Sequence, residues 1–200
     1  MTDTRERFID AATRAFAERG FYGTSIANIA ESLRFTKQAL LHHFGSKEKL
    51  YAEVLARISE RLMANLKDAG ESASDSGERF EIVFVAILKA SLAHSDDTRL
   101  LMRELLDNKR RAESARTWYL APFLDTLTEL ARSALSRPSK AKALAFVYQL
   151  LGAINYFAVS RPTLEQMLGN KDYATLARSY ERELRLMIRA RLAHALASAS

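Results

Sequence analysis

The sequence predicts an all-α fold, and three observations carry that prediction. Only 7 of the 200 residues are Gly and 3 are Pro, too few turn-formers for a protein of many short strands. Apolar residues recur at the three- and four-residue spacing of a helix face, and no stretch alternates residue by residue as a half-buried strand would. No internal repeat of fixed period is present. With 48% hydrophobic and 27% charged residues, the chain has enough apolar side chain for one core or two modest ones. It is read as two domains, residues 1–48 and 49–200.

Phe8, Ala12, Ala15 and Phe16 lie on one stripe of a first helix that Asp3 or Thr4 caps and Gly20 ends. Phe21 and Tyr22 lead to Gly23-Thr24-Ser25, a turn whose hydroxyls are expected to accept from the free amides of the next helix. In that second helix Ile26, Ile29, Ala30 and Leu33 share a face. The third opens with Thr36 as N-cap, and Phe35 and Leu40 stand where a hydrophobic staple needs them. Leu40 and Phe44 then face inward. Gln38 and His42 lie about 160° and 200° round from Leu40, so they point out together. Ala39 and Leu41 flank them, Lys37 sits at the shoulder, and His43 lies about 60° to the other side. Ser46 caps a fourth helix, where Leu50, Val54 and Ile58 repeat at four-residue spacing as far as about Lys67. Residues 68–78, rich in Gly, Ser and acids, read as a flexible connector. Helices are predicted beyond it at 79–94, 97–110, 113–135, 139–159, 163–168 and 170–195, with Arg137-Pro138 and Arg161-Pro162 as breaks.

Several function classes drop out. Without cysteine there is no disulfide and no thiolate metal site, which is compatible with a reducing compartment. The first residues lack the apolar run of a secretory signal, so a cytoplasmic location is expected. The longest apolar run, 143–159, is broken by Gln149, Gly152 and Asn155 and falls short of the roughly 20 residues that span a bilayer. It reads as a buried helix, with no membrane partner. His42 and His43 are adjacent and do not face one another, and His94 and His194 are isolated, so no metal is expected. Neither a Gly-rich phosphate loop, nor paired carboxylates, nor a nucleophile elbow is present, hence no cofactor, no catalytic residue and no enzyme. A net charge of +6 and a pI near 9.6 permit a polyanionic partner without requiring one. Residues 1–50 are only mildly basic, so a nucleic-acid site there must come from placement.

Three short helices with the turn Ser32-Leu33-Arg34-Phe35 describe a helix-turn-helix, whose third helix enters the major groove of double-stranded DNA. Gln38 matches adenine N6 and N7, His42 can bond a base edge or phosphate, and Ala39 or Leu41 can touch a thymine methyl. Thr24 and Thr36 stand at helix starts, where hydroxyls and free amides favour phosphate. Lys37, His43 and Lys47 complete the candidate DNA-binding set. The alternative is a solvated helix face in an ordinary bundle.

Residues 8–54 resemble the N-terminal domain of the TetR family of transcriptional regulators: Gly20-Phe21, Gly23-Thr24-Ser25-Ile26, Ile29-Ala30, Thr36-Lys37, Leu40, His42-His43-Phe44 and Ser46-Lys47-Glu48-Lys49-Leu50. The resemblance implies a repressor with a helical C-terminal domain for dimerisation and effector binding. A small molecule bound there would release a palindromic operator. Two positions depart from the family pattern. Arg34 replaces the usual turn glycine, at a cost on the order of 1 kcal/mol if it keeps a left-handed conformation. Leu41 replaces the tyrosine that contacts backbone phosphate.

Tyr173, Ala177, Tyr180, Leu184 and Met187 form a continuous seam along the last helix. It fits either the chain's own core or, as the resemblance favours, a homodimer four-helix bundle made with the helix at 139–159. Arg178, Arg182, Arg185 and Arg189 read mostly as a solvated flank. Trp118, Phe123, Phe146, Gln149, Asn155 and Tyr156 are candidates to line an effector cavity, since pockets are mostly apolar with a few placed polar groups. The rival readings are a DNA-binding regulator without an effector, an activator, or a helical enzyme or carrier.

Overall fold

The computed structural model describes residues 3–69, 73–107 and 119–197, and every regular element among them is a helix. In order these are α1 (Thr4–Gly23), α2 (Ile26–Ser32), α3 (Lys37–Phe44), α4 (Lys47–Ala69), α5 (Ser76–Ala93), α6 (Ser95–Asp107), α7 (Ala121–Ala134) and α8 (Lys140–Ala197). Two compact units result, Met1–Arg61 with His94–Tyr119, and Leu62–Ala93 with Leu120–Ser200. The expected boundary between residues 48 and 49 closes the helix-turn-helix segment but not a compact unit. α4 runs on through it, and α6 joins the N-terminal helices.

In the first unit Phe8, Ala12 and Phe16 of α1, Ile29 and Ala30 of α2, Leu40 of α3 and Leu50 and Val54 of α4 make the core, all nearly or fully buried. Asp3 caps α1 by accepting from the Arg5 amide at 3.2 Å. Its regular turns end at Gly20, whose φ of 71° lies where glycine is free to go. α6 is tied in by polar contacts that no spacing rule foretells. Arg103 donates through Nε to the Ala17 carbonyl and through Nη2 to the Glu18 carbonyl, each at 2.9 Å, and so satisfies two carbonyls near the end of α1. The Tyr51 hydroxyl of α4 donates to Glu104 of α6.

The second unit buries Phe80, Phe84 and Leu88 of α5 against Leu127 and Ala131 of α7 and Val147, Leu150, Ile154 and Ile188 of α8. Three expectations change here. The connector at 68–78 is partly structured: Asp75 accepts from the Glu78 amide at 2.8 Å, while Glu78 accepts from the Ser74 amide and hydroxyl at 2.7 and 2.6 Å. Its acids thus cap α5 in the manner of a capping box, and the Ser74 contacts hold the Glu78 carboxyl below its usual range. Second, Arg161-Pro162 does not end a helix. α8 carries Pro162 inside it and bends only at Gly169, with φ 78° and ψ 158°, leaving an arm at 140–168 and another at 170–197. Third, Arg185 and Arg189 are not merely a solvated flank, because both hold the buried carboxylate of Glu81.

Four residues of the seam on the second arm pack in the chain's own core. Tyr173 and Leu184 are buried, and Ala177 and Tyr180 pack against the same cluster. The Phe157 and Tyr180 rings stack at 3.9 Å. Met187 alone of the five is exposed. α8 is long and apolar enough to cross a membrane by length and composition, and the apolar face it turns to α5 and α7 accounts for part of that hydropathy.

Candidate nucleic-acid interface

α3 is fixed at both ends by local chemistry. The Thr36 hydroxyl accepts from the Ala39 amide at 3.1 Å, as an N-cap should, and Gly45 closes the other end with φ 76° while its amide donates to the Leu41 carbonyl at 2.7 Å. Leu40 and Phe44 are buried, and Phe8 is the platform beneath them. Its ring lies 5.1 Å from Phe35, 5.6 Å from His43 and 6.3 Å from Phe44. With the inner face so occupied, helical geometry turns Lys37, Gln38, His42 and His43 outward, and all four are exposed. Ala39 and Leu41 are half-buried at the edges. The expected reading face is therefore assembled as a contiguous surface.

The turn before α3 keeps its left-handed residue although that residue is arginine: Arg34 has φ 63°. The Arg34 amide donates to the Glu31 carbonyl and the Phe35 amide to the Ala30 carbonyl, both at 2.9 Å. This pattern closes a helix around a left-handed residue, so the turn has not been reshaped to spare the side chain.

Thr24 departs from expectation. It is buried, and its hydroxyl donates back into α1, lying 2.7 Å from the Gly20 carbonyl and 3.0 Å from that of Ala15. A carbonyl cannot donate, so the hydroxyl proton is directed inward and Thr24 holds the α1–α2 corner instead of facing phosphate. Ser25 is the N-cap of α2 without a side-chain cap bond. Lys47 is half-buried, with its ammonium 4.6 Å from the centre of the Phe21 ring. That cation–π contact steadies the charge beside the start of α4. Sequence reasoning missed Arg5 and Arg7, in the first turn of α1. The Arg5 guanidinium lies 5.3 Å from the Phe44 ring and pairs with Glu53, while that of Arg7 lies 5.6 Å from the Phe35 ring and is exposed. Their only sequence signal was charge next to a helix start, which carries no direction.

The predicted effector set does not converge. Phe123 and Phe146 are buried in the core of the second unit, with Phe146 stacked on Phe80 at 5.7 Å. Gln149 and Tyr156 are exposed on α8, and Asn155 is half-buried. Trp118 lies outside the described residues. The reason is periodicity: Phe146, Leu150, Ile154 and Phe157 take the inner face, which puts 149 and 156 outside. A concavity of about 240 Å³ in this unit is lined by Leu66, Arg79, Val83, Thr126, Glu129, Leu130 and Ser133. None of these was foreseen, and the volume is below the several hundred Å³ usual for a drug-sized ligand.

An all-helical chain with an outward polar third helix, capped at both ends and seated on an aromatic platform, is a helix-turn-helix protein with a further helical unit. Residues 8–54 match the family described as bacterial regulatory proteins, tetR family. Among relatives, the HTH-type transcriptional repressor KstR2 of Mycobacterium tuberculosis is 32% identical over 94 residues, 47% of this chain and 47% of that protein. The HTH-type transcriptional regulator UidR of Escherichia coli is 35% identical over 65 residues, 32% of this chain and 33% of that one. The chain thus spans about half the length, or less, of the curated relatives it matches. Solved structures share the fold along nearly the whole chain. A TetR-like transcriptional regulator from Rhodococcus sp. RHA1 superposes with a TM-score of 0.66 at 23% identity, covering 96% of each chain. The ketosteroid transcriptional regulator KstR2 of Mycobacterium tuberculosis does so with a TM-score of 0.63 at 21% identity, covering 90% of this chain and 95% of that one.

Proposed function

We propose that the chain is a sequence-specific, duplex-DNA-binding transcription regulator of the bacterial cytoplasm, acting as a homodimer and repressing until a small molecule releases it. The observation that carries this reading is the surface of α3: Lys37, Gln38, His42 and His43 are exposed together while Leu40 and Phe44 bury the opposite side. The similarity of residues 8–54 to a family of bacterial regulatory proteins, and of about half the chain to relatives named as repressors, supports it. Gln38, Ala39, Leu41 and His42 are the base-reading residues, and Thr36, Lys37, His43 and Lys47 anchor the backbone.

The dimer face belongs on the outer side of α8, where Tyr148, Gly152 and Tyr156 follow one another at four-residue spacing and are all exposed, with Leu186 and Met187 exposed on the second arm. Two identical reading heads on a two-fold axis call for inverted half-sites. The effector is a small, largely apolar molecule held in the C-terminal unit. One relative by fold is described as a ketosteroid regulator and another as a fatty acid degradation regulator, which favours that chemistry here.

Randomised-site selection followed by anisotropy titration tests the reading. A pseudo-palindrome should emerge, and Gln38→Ala should lose about 1 to 3 kcal/mol on it while relaxing preference at one base pair. Lys37→Ala should weaken all duplexes alike. Identical sequence profiles for the two variants, or no enriched site, would sink the assignment.

A further inference from the structure

An arginine in a left-handed turn is an uneconomical choice, because glycine or asparagine reaches that conformation with less strain. Arg34 nevertheless stands there with φ 63°, exposed, and its guanidinium makes no hydrogen bond or ion pair among the described residues. Two more exposed cations lie close by along the chain or in space. Lys37 opens α3 three residues on, and the Arg7 guanidinium sits over the ring of Phe35, the residue next to Arg34. Glu31 is the sole acid in the segment 31–37, and no ion pair among the described residues involves it.

We propose that Arg34 is a phosphate-contacting residue: with Arg7 and Lys37 it forms a cationic rim beside the leading end of α3 that grips the sugar-phosphate backbone flanking the groove this helix enters. The inference rests on the duplex-binding reading above. Guanidinium suits the role, since its planar fork matches two phosphate oxygens at once. A contact of this kind fixes register on the duplex and carries no base preference. It also explains why the strained residue is retained: strain is kept where the side chain it presents has a use.

The experiment compares the parent chain with Arg34→Gly, Arg34→Lys and, as a charge control in the other compact unit, Arg182→Gln. Binding is read by anisotropy on a labelled operator and on a scrambled duplex of the same length, from about 50 to 200 mM salt, with thermal melting alongside. Arg34→Gly should melt no lower than the parent, bind both duplexes more weakly by the same factor, and show a salt slope shallower by about 0.9 per reading head. That slope difference amounts to roughly a 3.5-fold smaller loss of affinity per head over this salt range. Arg34→Lys should keep most of the slope, and Arg182→Gln all of it. A parent that binds steeply while Arg34→Gly binds identically overturns the Arg34 assignment alone, as does an equal loss in Arg182→Gln. Selective loss on the operator would make Arg34 a base reader and also overturn it. Lower melting of Arg34→Gly would contradict the left-handed turn on which the assignment stands. A parent with no salt-dependent duplex binding would remove both this inference and the function on which it rests.

Discussion

Replacing Glu81 by glutamine should be among the more damaging single-atom changes in the C-terminal unit. Glu81 on α5 is 9% exposed at its side chain and receives three donors from the second arm of α8: Arg189 Nε at 2.6 Å, Arg189 Nη2 at 2.8 Å and Arg185 Nη1 at 2.9 Å. Arg189 is 64% exposed, so water largely replaces what it gives and it adds little. Arg185 is 32% exposed and also paired with Glu181 at 2.9 Å. A charged hydrogen bond to a mostly buried carboxylate contributes roughly 1.5 to 3 kcal/mol. Glutamine keeps one acceptor but turns an amide donor toward a guanidinium, giving an expected loss of about 2 kcal/mol. In a chain of this size that is a fall in Tm of roughly 4 to 8 °C. The pH dependence adds a sharper test. Arg189, and after it Arg185, hold the Glu81 carboxyl below the usual carboxylate range against the opposing effect of burial. A carboxyl with a depressed folded-state pKa stabilises fully above its unfolded value and loses that stabilisation as pH falls through the folded one. The gap between parent and Glu81→Gln, measured by urea unfolding, should therefore be constant near neutrality and shrink below about pH 4. A gap that stays the same down to acid pH would show that shape, and not charge, is what glutamine disturbs.

Thr24→Val should cost about 1 to 2 kcal/mol in unfolding, by stripping a buried donor from the carbonyls of α1, and should leave duplex affinity at matched folded concentration unchanged. A selective loss of binding would mean that the hydroxyl does face phosphate. Gly152 sits exposed inside α8, and a Cβ there would meet nothing within 4 Å. Gly152→Ala should accordingly stabilise the chain by roughly 0.5 to 1 kcal/mol, whereas Gly152→Arg should fold normally yet sediment as a monomer. Persistence of the dimer at micromolar concentration would move the interface elsewhere.

The N-terminal helices were legible because their signals are local. Thr36 and Ser46 each accept from an amide three residues on, and Leu40, Phe44, Leu50 and Val54 announce one buried face by spacing alone. Which surface covers a buried face is a different kind of information. Tyr173, Ala177, Tyr180 and Leu184 are apolar at the right period whether their partner is α5 of the same chain or a second copy, and only the fold decides between the two. Likewise an aromatic or an amide beside a core position says nothing of burial until the phase of the helix is fixed, which is why the exposed Gln149 and Tyr156 were grouped with the buried Phe146. Directional polar contacts were the least legible. Nothing in the order of residues tells that the Thr24 proton points inward, that Arg103 reaches the end of α1, or that Asp75 and Glu78 cap a helix instead of merely solvating a linker.

Gly169 separates two constraints that commonly arrive together. A methyl placed there would touch nothing within 4 Å, so volume sets no limit on the position, and it lies at the surface where substitution is ordinarily free. Handedness sets the limit instead, because φ 78° with ψ 158° belongs to a region open essentially to glycine. The Phe157–Tyr180 stack depends on the second arm of α8 returning along the first. A residue with room to spare, touching no one, thereby governs contacts that lie many residues away on either side.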